Sequence, residues 1–296
     1  MAQTRLERSA GINGWAFVMP ALVLLGIFMI YPILWSLWMS FQVGRGNNFQ
    51  FGGLANIQRL AGDQVFLHAL TNTCVFFVVQ VPIMITLALL FAVALNDATL
   101  KFRGVFRTAL FLPCVTSLVA YSSLFKSMFS GDGIINKALL WAHLIGTPIP
   151  WLTDPFWVKI VIILAITWRW TGYNMIFYLA ALQNVDKSIY EAARIDGVPA
   201  WARFTRITIP MLKPVILFTT IISTIGTLQL FDEVNNITQG GPADATLTLS
   251  LYIYNLTFRQ MPSFGYSATV SYVIVLVVAV LSLIQFIVAR DRRRSA

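Results

Sequence analysis

The chain has 296 residues, of which 57% are hydrophobic and only 11% charged, with a mean hydropathy of +0.73. These values exclude an ordinary soluble domain. The formal net charge of +9 does not indicate nucleic acid, because the basic residues flank apolar runs and do not interleave with aromatic platforms on a polar surface.

Six stretches are long and apolar enough to cross a bilayer, which takes about 20 helical residues. In chain order they are 15–41, 69–95, 106–125, 156–182, 214–234 and 268–289. The first follows Arg5 and Arg8, as a signal peptide would, but it is longer than a signal h-region and no small-residue cleavage site follows it, so it is read as a retained span. The third is interrupted by Pro113 and several Ser and Thr residues. Lys and Arg positions orient the bundle. With the N-terminus inside, 14 of the 21 basic residues face the cytoplasm and six face outward, with Arg169 left inside the fourth span. Both termini are then cytoplasmic. The expected organisation is a tail over 1–14, a permease-like domain over 15–289, a cytoplasmic loop within it over 184–213, and a basic tail over 290–296.

That loop carries "YEAARIDGVPAWARFTRITIPMLKP", residues 190–214. Ser188 and Glu191 have capping-box spacing, Gly197 suits the left-handed turn that ends a helix, and Pro199 suits the first position of a second one. Trp201, Phe204 and Ile207 then form an apolar stripe beside Arg203 and Arg206, and Pro210 and Pro214 close the helix. The pattern predicts two short amphipathic helices with a hinge. By pattern alone they serve a headgroup layer or a protein partner equally well.

The run "EAARIDG" followed by Ile207 and Pro210 resembles the EAA loop of bacterial ABC importer permeases. "WRWTGYNMIFYLAALQNV", "LFDEVNNITQGGP" and "FGYSATVSYVIVLV" are similar to the carbohydrate, maltose/multiple-sugar branch of that family, with Gln239 where the branch often has a first glycine. The resemblance implies an all-α, six-helix type I ABC importer transmembrane domain in the bacterial cytoplasmic (inner) membrane. It also implies a heterodimer with a second homologous permease, two ATPase subunits and an extracytoplasmic sugar-binding protein. Glu191, Ala192, Ala193, Gly197 and Pro210 would form the helix that docks on the ATPase. The chain has no G-x-x-x-x-G-K-[ST] phosphate cradle, so ATP and Mg would sit on the partner subunit, and this chain is read as neither an enzyme nor a holder of any cofactor.

Cys74 and Cys114 lie in apolar runs, His68 and His143 are isolated, and none has metal-ligand spacing. The acidic pair Asp232 and Glu233 lies near the outer end of the fifth span. Adjacent in sequence, the two point in different directions on a helix and are poorly placed as an acid/base pair. This weighs against the rival reading, an ion-coupled secondary sugar transporter, which needs ionisable groups within the membrane.

Candidate substrate contacts cluster on two spans. The fourth carries Trp168, Arg169, Trp170, Tyr173 and Asn174 too deep for an interfacial belt. Trp168 and Tyr173 stand about 140° apart around a helix, whereas Trp170, Tyr173 and Asn174 come closer to sharing a face. Aromatic faces stack on sugar C–H faces, and Asn and Tyr bond hydroxyls; the resemblance likewise implies that residues 168–173 line the sugar cavity. Arg169 is costly near mid-membrane, by at least about 2.5 kcal/mol, so it faces a cavity or a partner: a structural ion pair, a snorkelling stem, or an anionic substituent on the sugar. The fifth span adds Ser223 and Thr227, on one face with Thr220, which either bond their own helix or line a polar path. The outer loop with Trp141 and Trp151 is expected to meet the binding protein.

Overall fold

The computed structural model describes residues 2–46, 48–97 and 99–291, and the side chains of 14–46, 48–97 and 99–289. The side chains of Arg5, Arg8 and Arg290, and all of Arg292, Arg293 and Arg294, counted above for orientation, lie outside it.

Helix α1 (Ala2–Leu25) passes through a wide π turn (Gly26–Ile30) into α2 (Tyr31–Ser40). Strands β1 (Gln42–Arg45) and β2 (Asn48–Phe51) form an antiparallel hairpin, followed by α3 (Ala55–Gly62) and α4 (Gln64–Asn96). Next come α5 (Arg103–Val115), α6 (Leu118–Met128), α7 (Ile134–Trp141) and α8 (Trp157–Gln183). The chain continues through α9 (Lys187–Ile195), α10 (Ala200–Arg203), a second π turn (Phe204–Thr208) and α11 (Ile209–Leu228). It ends with α12 (Asp232–Ile237), α13 (Leu249–Tyr254), a third π turn (Asn255–Arg259) and α14 (Phe264–Asp291).

Five of these segments are long and apolar enough to cross a membrane: Gly14–Ser40, Gln64–Asn96, Trp157–Gln183, Ala200–Leu228 and Phe264–Ala289. The expected third span is a broken pair, α5 and α6, bent by 100°. The break follows Pro113, whose missing N–H weakens the helix. Thr116 and Ser117 turn extended, and the Thr116 hydroxyl donates to the Pro113 carbonyl at 2.8 Å. The fifth span is also displaced. It begins at Ala200 and stops at Leu228, short of the expected 234, because the chain leaves the helix at Gln229 and Leu230 and restarts as α12. The small hairpin is likewise absent from an all-α expectation. Its alternating Phe49 and Phe51 opposite Gly44 and Gln42 were the available signal.

The described residues divide into two compact units: one up to Gly62 together with Ile253–Tyr272, the other Asp63–Tyr252 together with the residues from Val273. In the first, the buried Asn56 side chain donates to the Ser40 and Gln42 carbonyls at 2.9 and 2.8 Å, tying α3 to the hairpin. The Tyr272 hydroxyl donates to the Ile33 carbonyl at 2.7 Å. The α1–α2 span leaves its apolar side chains exposed, as a surface made for lipid or a neighbouring helix does.

The second unit is built on α4, α8 and α11. Ala88, Leu89, Ala92 and Leu95 pack with Met175, Tyr178, Leu179, Leu182 and Leu212, and Phe204 closes over them. Small residues let helix backbones approach where lipid supplies no hydrophobic drive. The tightest approach is at Gly172, where a Cβ would stand 1.8 Å from the Leu110 carbonyl oxygen of α5. Tyr178 and Thr219 share a buried hydroxyl bond of 2.6 Å. Asp63 caps α4, accepting from the Val65 and Phe66 amides, and also accepts the Tyr252 hydroxyl.

Candidate functional site

The loop between α8 and α11 is ordered by local chemistry. Asp186, not Ser188, caps α9: its carboxylate accepts the Ser188 amide at 2.9 Å. Both residue types cap well, and the aspartate, placed two residues earlier, takes the role and leaves Glu191 exposed rather than folded back as a capping box. That amide and the Ser188 hydroxyl hold the Asp186 carboxyl below its ordinary range. Gly197 ends the helix at φ +70°, with the Gly197 amide donating to Arg194 and the Val198 amide to Ala193, the paired bonds of a Schellman turn.

Pro199 stands just before α10 as its cap residue rather than at the first helical position. The second helix does not close at Pro210. It widens into the π turn, where the Ile209 amide reaches the Phe204 carbonyl, and runs directly into the span. Pro210 has no N–H to give, and the extra residue per turn makes room for its ring. The loop is therefore a separate helix, α9, joined at Gly197 to the α10 extension of the α11 span. The Tyr190 and Thr208 hydroxyls bond at 3.1 Å across that joint. Ala193 is buried there, while Glu191, Ala192, Ile195, Pro210 and Trp201 stay exposed, Ile195 and Trp201 by 87% and 70%. Phe204, expected on the exposed stripe, instead turns inward.

Of the residues expected on the path, three converge. The Ser223 hydroxyl donates to Asn174 Oδ1 at 3.4 Å, and the Thr227 hydroxyl to Gln80 Oε1 at 3.0 Å. Asn174 and Gln80 both direct side-chain amides at the Met84 sulfur. This network lies buried between α4, α8 and α11, whereas Thr219, Thr220 and Thr224 bond carbonyls of their own helix. Trp170 and Tyr173 sit on a different line, edge to face at 5.7 Å, and the line continues through Phe177 to Phe218. Trp170, Tyr173 and Phe177 are half-buried, and Phe218 is exposed. Trp168 turns away, stacking on Tyr121 at 5.9 Å and meeting Phe125 of α6 at a tilt, 5.6 Å between ring centres.

Arg169 is buried, with its guanidinium over the Tyr121 ring at 5.0 Å and the Trp170 ring at 5.7 Å. Glu233 is also buried. The sequence placed Glu233 near the outer end of the fifth span, and hydropathy cannot reveal that α12 packs against α6 and α8. In the segment between α6 and α8, Trp151 is buried, its indole donating to Asn136 Oδ1 at 2.9 Å, while Trp141 is 85% exposed. Gln239, which departs from the resembling sequences, sits at φ +55°, a position glycine adopts without cost. Among the described residues, no group of three His, Cys, Asp or Glu side chains is arranged to hold a metal.

The spans, the broken pair and the ordered loop define a multi-pass helical membrane protein. The chain belongs to the family described as binding-protein-dependent transport system inner membrane component, whose model matches residues 51–294. It is 67% identical, over 99% of both chains, to the lactose transport system permease protein LacF of Rhizobium radiobacter. It is 35% identical to the arabinooligosaccharides transport system permease protein AraP of Halalkalibacterium halodurans, over 92% of this chain and 85% of that one. Its fold matches a bacterial ABC transporter involved in the import of the acidic polysaccharide alginate, with a TM-score of 0.81, 24% identity and coverage of 97% and 99%. The fold is thus the type I ABC importer membrane domain expected from the sequence.

Proposed function

We propose that this chain is the permease subunit of an ATP-binding cassette importer, forming the path for a sugar or sugar derivative handed over by an extracytoplasmic binding protein. The observation that carries the reading is the 67% identity to a lactose permease along nearly the whole of both chains. The chain lies in a bacterial inner membrane with both termini cytoplasmic, over the organisation 1–14, 15–289 and 290–296 given above. It pairs with a second permease, and two ATPase subunits hold ATP and Mg. The loop over 184–213 docks on one of them through Glu191, Ala192, Ala193, Gly197 and Pro210, with Trp201 and Ile195 as exposed apolar anchors.

Trp170 and Tyr173 offer the path-facing aromatic surface. Asn174, Ser223 and Thr227 set the spacing of the helices behind it, Trp168 locks α8 to the broken span, and Arg169 supplies buried donors. Trp141 is the outer-loop contact for the binding protein. The ion-coupled alternative gains no support from the relatives. Reconstitution with partner subunits decides between the two: sugar uptake that needs ATP inside the vesicle and persists after ion gradients are collapsed is the expected result. Uptake that follows an ion gradient without ATP contradicts it.

A further inference from the structure

The first compact unit holds a cavity of about 310 Å3 between the β1–β2 hairpin, α3 and the turn that leads into α14, lined by Val43 and Arg45 of β1, Asn56 and Arg59 of α3, and Ser263. Hydrogen bonds fix its walls. The Gly46 amide donates to the Pro262 carbonyl at 2.9 Å, Asn56 spends its side-chain amide on the Ser40 and Gln42 carbonyls, and the Thr269 hydroxyl donates to the Ser40 carbonyl at 3.1 Å. The Arg59 guanidinium lies over the Tyr266 ring at 3.9 Å, which sets its plane, and Arg45 and Arg59 are both exposed. Among the described residues no acidic side chain lines the cavity. Residues 31–62 and 253–272 hold Arg45, Arg59 and Arg259 and neither Asp nor Glu. Asp63, the next acid along the chain, is engaged by the Val65 and Phe66 amides and the Tyr252 hydroxyl.

The place of the cavity decides which anion suits it. The first span ends at Ser40 and α14 starts at Phe264. Residues 43–45 and Ser263 therefore stand close to two span ends, in the polar layer about 5–7 Å deep that borders the hydrocarbon. The same elements expose Phe51, Leu54, Ile57, Phe258 and Met261, by 52% to 72%. Large apolar side chains beside basic ones suit the headgroup boundary rather than open water. An arginine pair holds a phosphate through forked N–H donors, while the apolar rim meets glycerol and upper acyl chain. A free phosphate or an acidic protein segment would use the arginines and leave that rim without a role. We propose that the cavity is a headgroup site for an anionic phospholipid, whose phosphodiester sits between Arg45 and Arg59.

The test is hydrogen exchange of peptides covering residues 42–60 in the assembled importer, held in lipid discs of phosphatidylcholine alone or mixed with phosphatidylglycerol. Phosphatidylglycerol is expected to slow exchange in the wild type about fivefold or more, the effect of a basic residue meeting an anionic lipid. The double variant Arg45→Gln, Arg59→Gln is expected to exchange as the wild type does in phosphatidylcholine alone, which shows the hairpin intact, and to lose the slowing in mixed discs. Arg45→Gln by itself leaves the Arg59–Tyr266 stack in place and is expected to lose part of the slowing; it decides the matter if the double variant is already loosened. The acidity that an anionic surface adds acts alike on wild type and variants, so the difference between them reports the site. Slowing that persists undiminished in the variants, or its absence in the wild type, overturns the proposal. So does equal slowing by inorganic phosphate in phosphatidylcholine discs, the mark of a free-anion site, or slowing that comes only with the binding protein, the mark of a protein contact.

Discussion

Gly172 and Asn136 show how single side chains hold this molecule. Gly172→Ala places a methyl 1.8 Å from the Leu110 carbonyl oxygen, so α5 and α8 must separate, at about 1–3 kcal/mol for overpacking. Thermal unfolding of the purified protein is expected to shift down accordingly. Gly226→Ala, with nothing within 4 Å, is expected to be neutral or slightly stabilising. Equal effects at the two positions would contradict the close approach. Asn136 is 1% exposed and ties together the segment between α6 and α8 with both ends of its amide, donating to Gly131 and Ile149 and accepting from Ile149 and Trp151. Asn136→Ala strands those groups, at about 1–3 kcal/mol each when buried, and is expected to loosen the loop in limited proteolysis. Trp141→Ala, at an exposed site, leaves the digestion pattern as it was. Arg169 announced itself in the sequence as a cation in an apolar run. Glu233 did not, because its depth depends on a fold-back at Gln229 and Leu230 that no local periodicity encodes.

The α9 element is set by its two ends. Gly197→Ala forces a Cβ into a left-handed conformation, at about 1 kcal/mol or more, and is expected to raise hydrogen exchange at the Val198 and Gly197 amides. The Asp186 cap has a pH signature. Its carboxyl is held below its ordinary range by Ser188, so the stabilisation is complete above about pH 4 and is lost as pH falls through the lowered native value. Asp186→Asn keeps an acceptor for the Ser188 amide and is expected to remove the pH dependence of exchange there; a dependence that persists would assign the cap elsewhere. The glycine stop was legible because few residues suit that conformation, whereas two good cap residues, Asp186 and Ser188, two positions apart left the start ambiguous. The broken third span was half legible: Pro113 marked the weakness, but a 100° bend is decided by what packs on either side.

For the whole molecule, composition fixed the membrane class, the basic residues gave an orientation, and the loop residues pointed to a family that matches residues 51–294. What stayed hidden was long-range: which polar residues of α4, α8 and α11 meet, and which aromatics remain half-buried beside them. The arrangement joins an exposed helix, through the Tyr190–Thr208 bond and the buried Ala193, to a span continuous from Ala200 to Leu228. In the proposed coupling, movement imposed on α9 would pass through this joint to the helix that carries Ser223 and Thr227. The most direct test is ATPase activity of the complete importer in lipid, with binding protein, with and without sugar, for wild type and Glu191→Ala. The account predicts that sugar stimulates the wild type and that stimulation falls tenfold or more in the variant, as for loss of a central contact residue, while the subunits still co-purify. Full stimulation in Glu191→Ala, or a wild type whose ATPase ignores sugar, would contradict it.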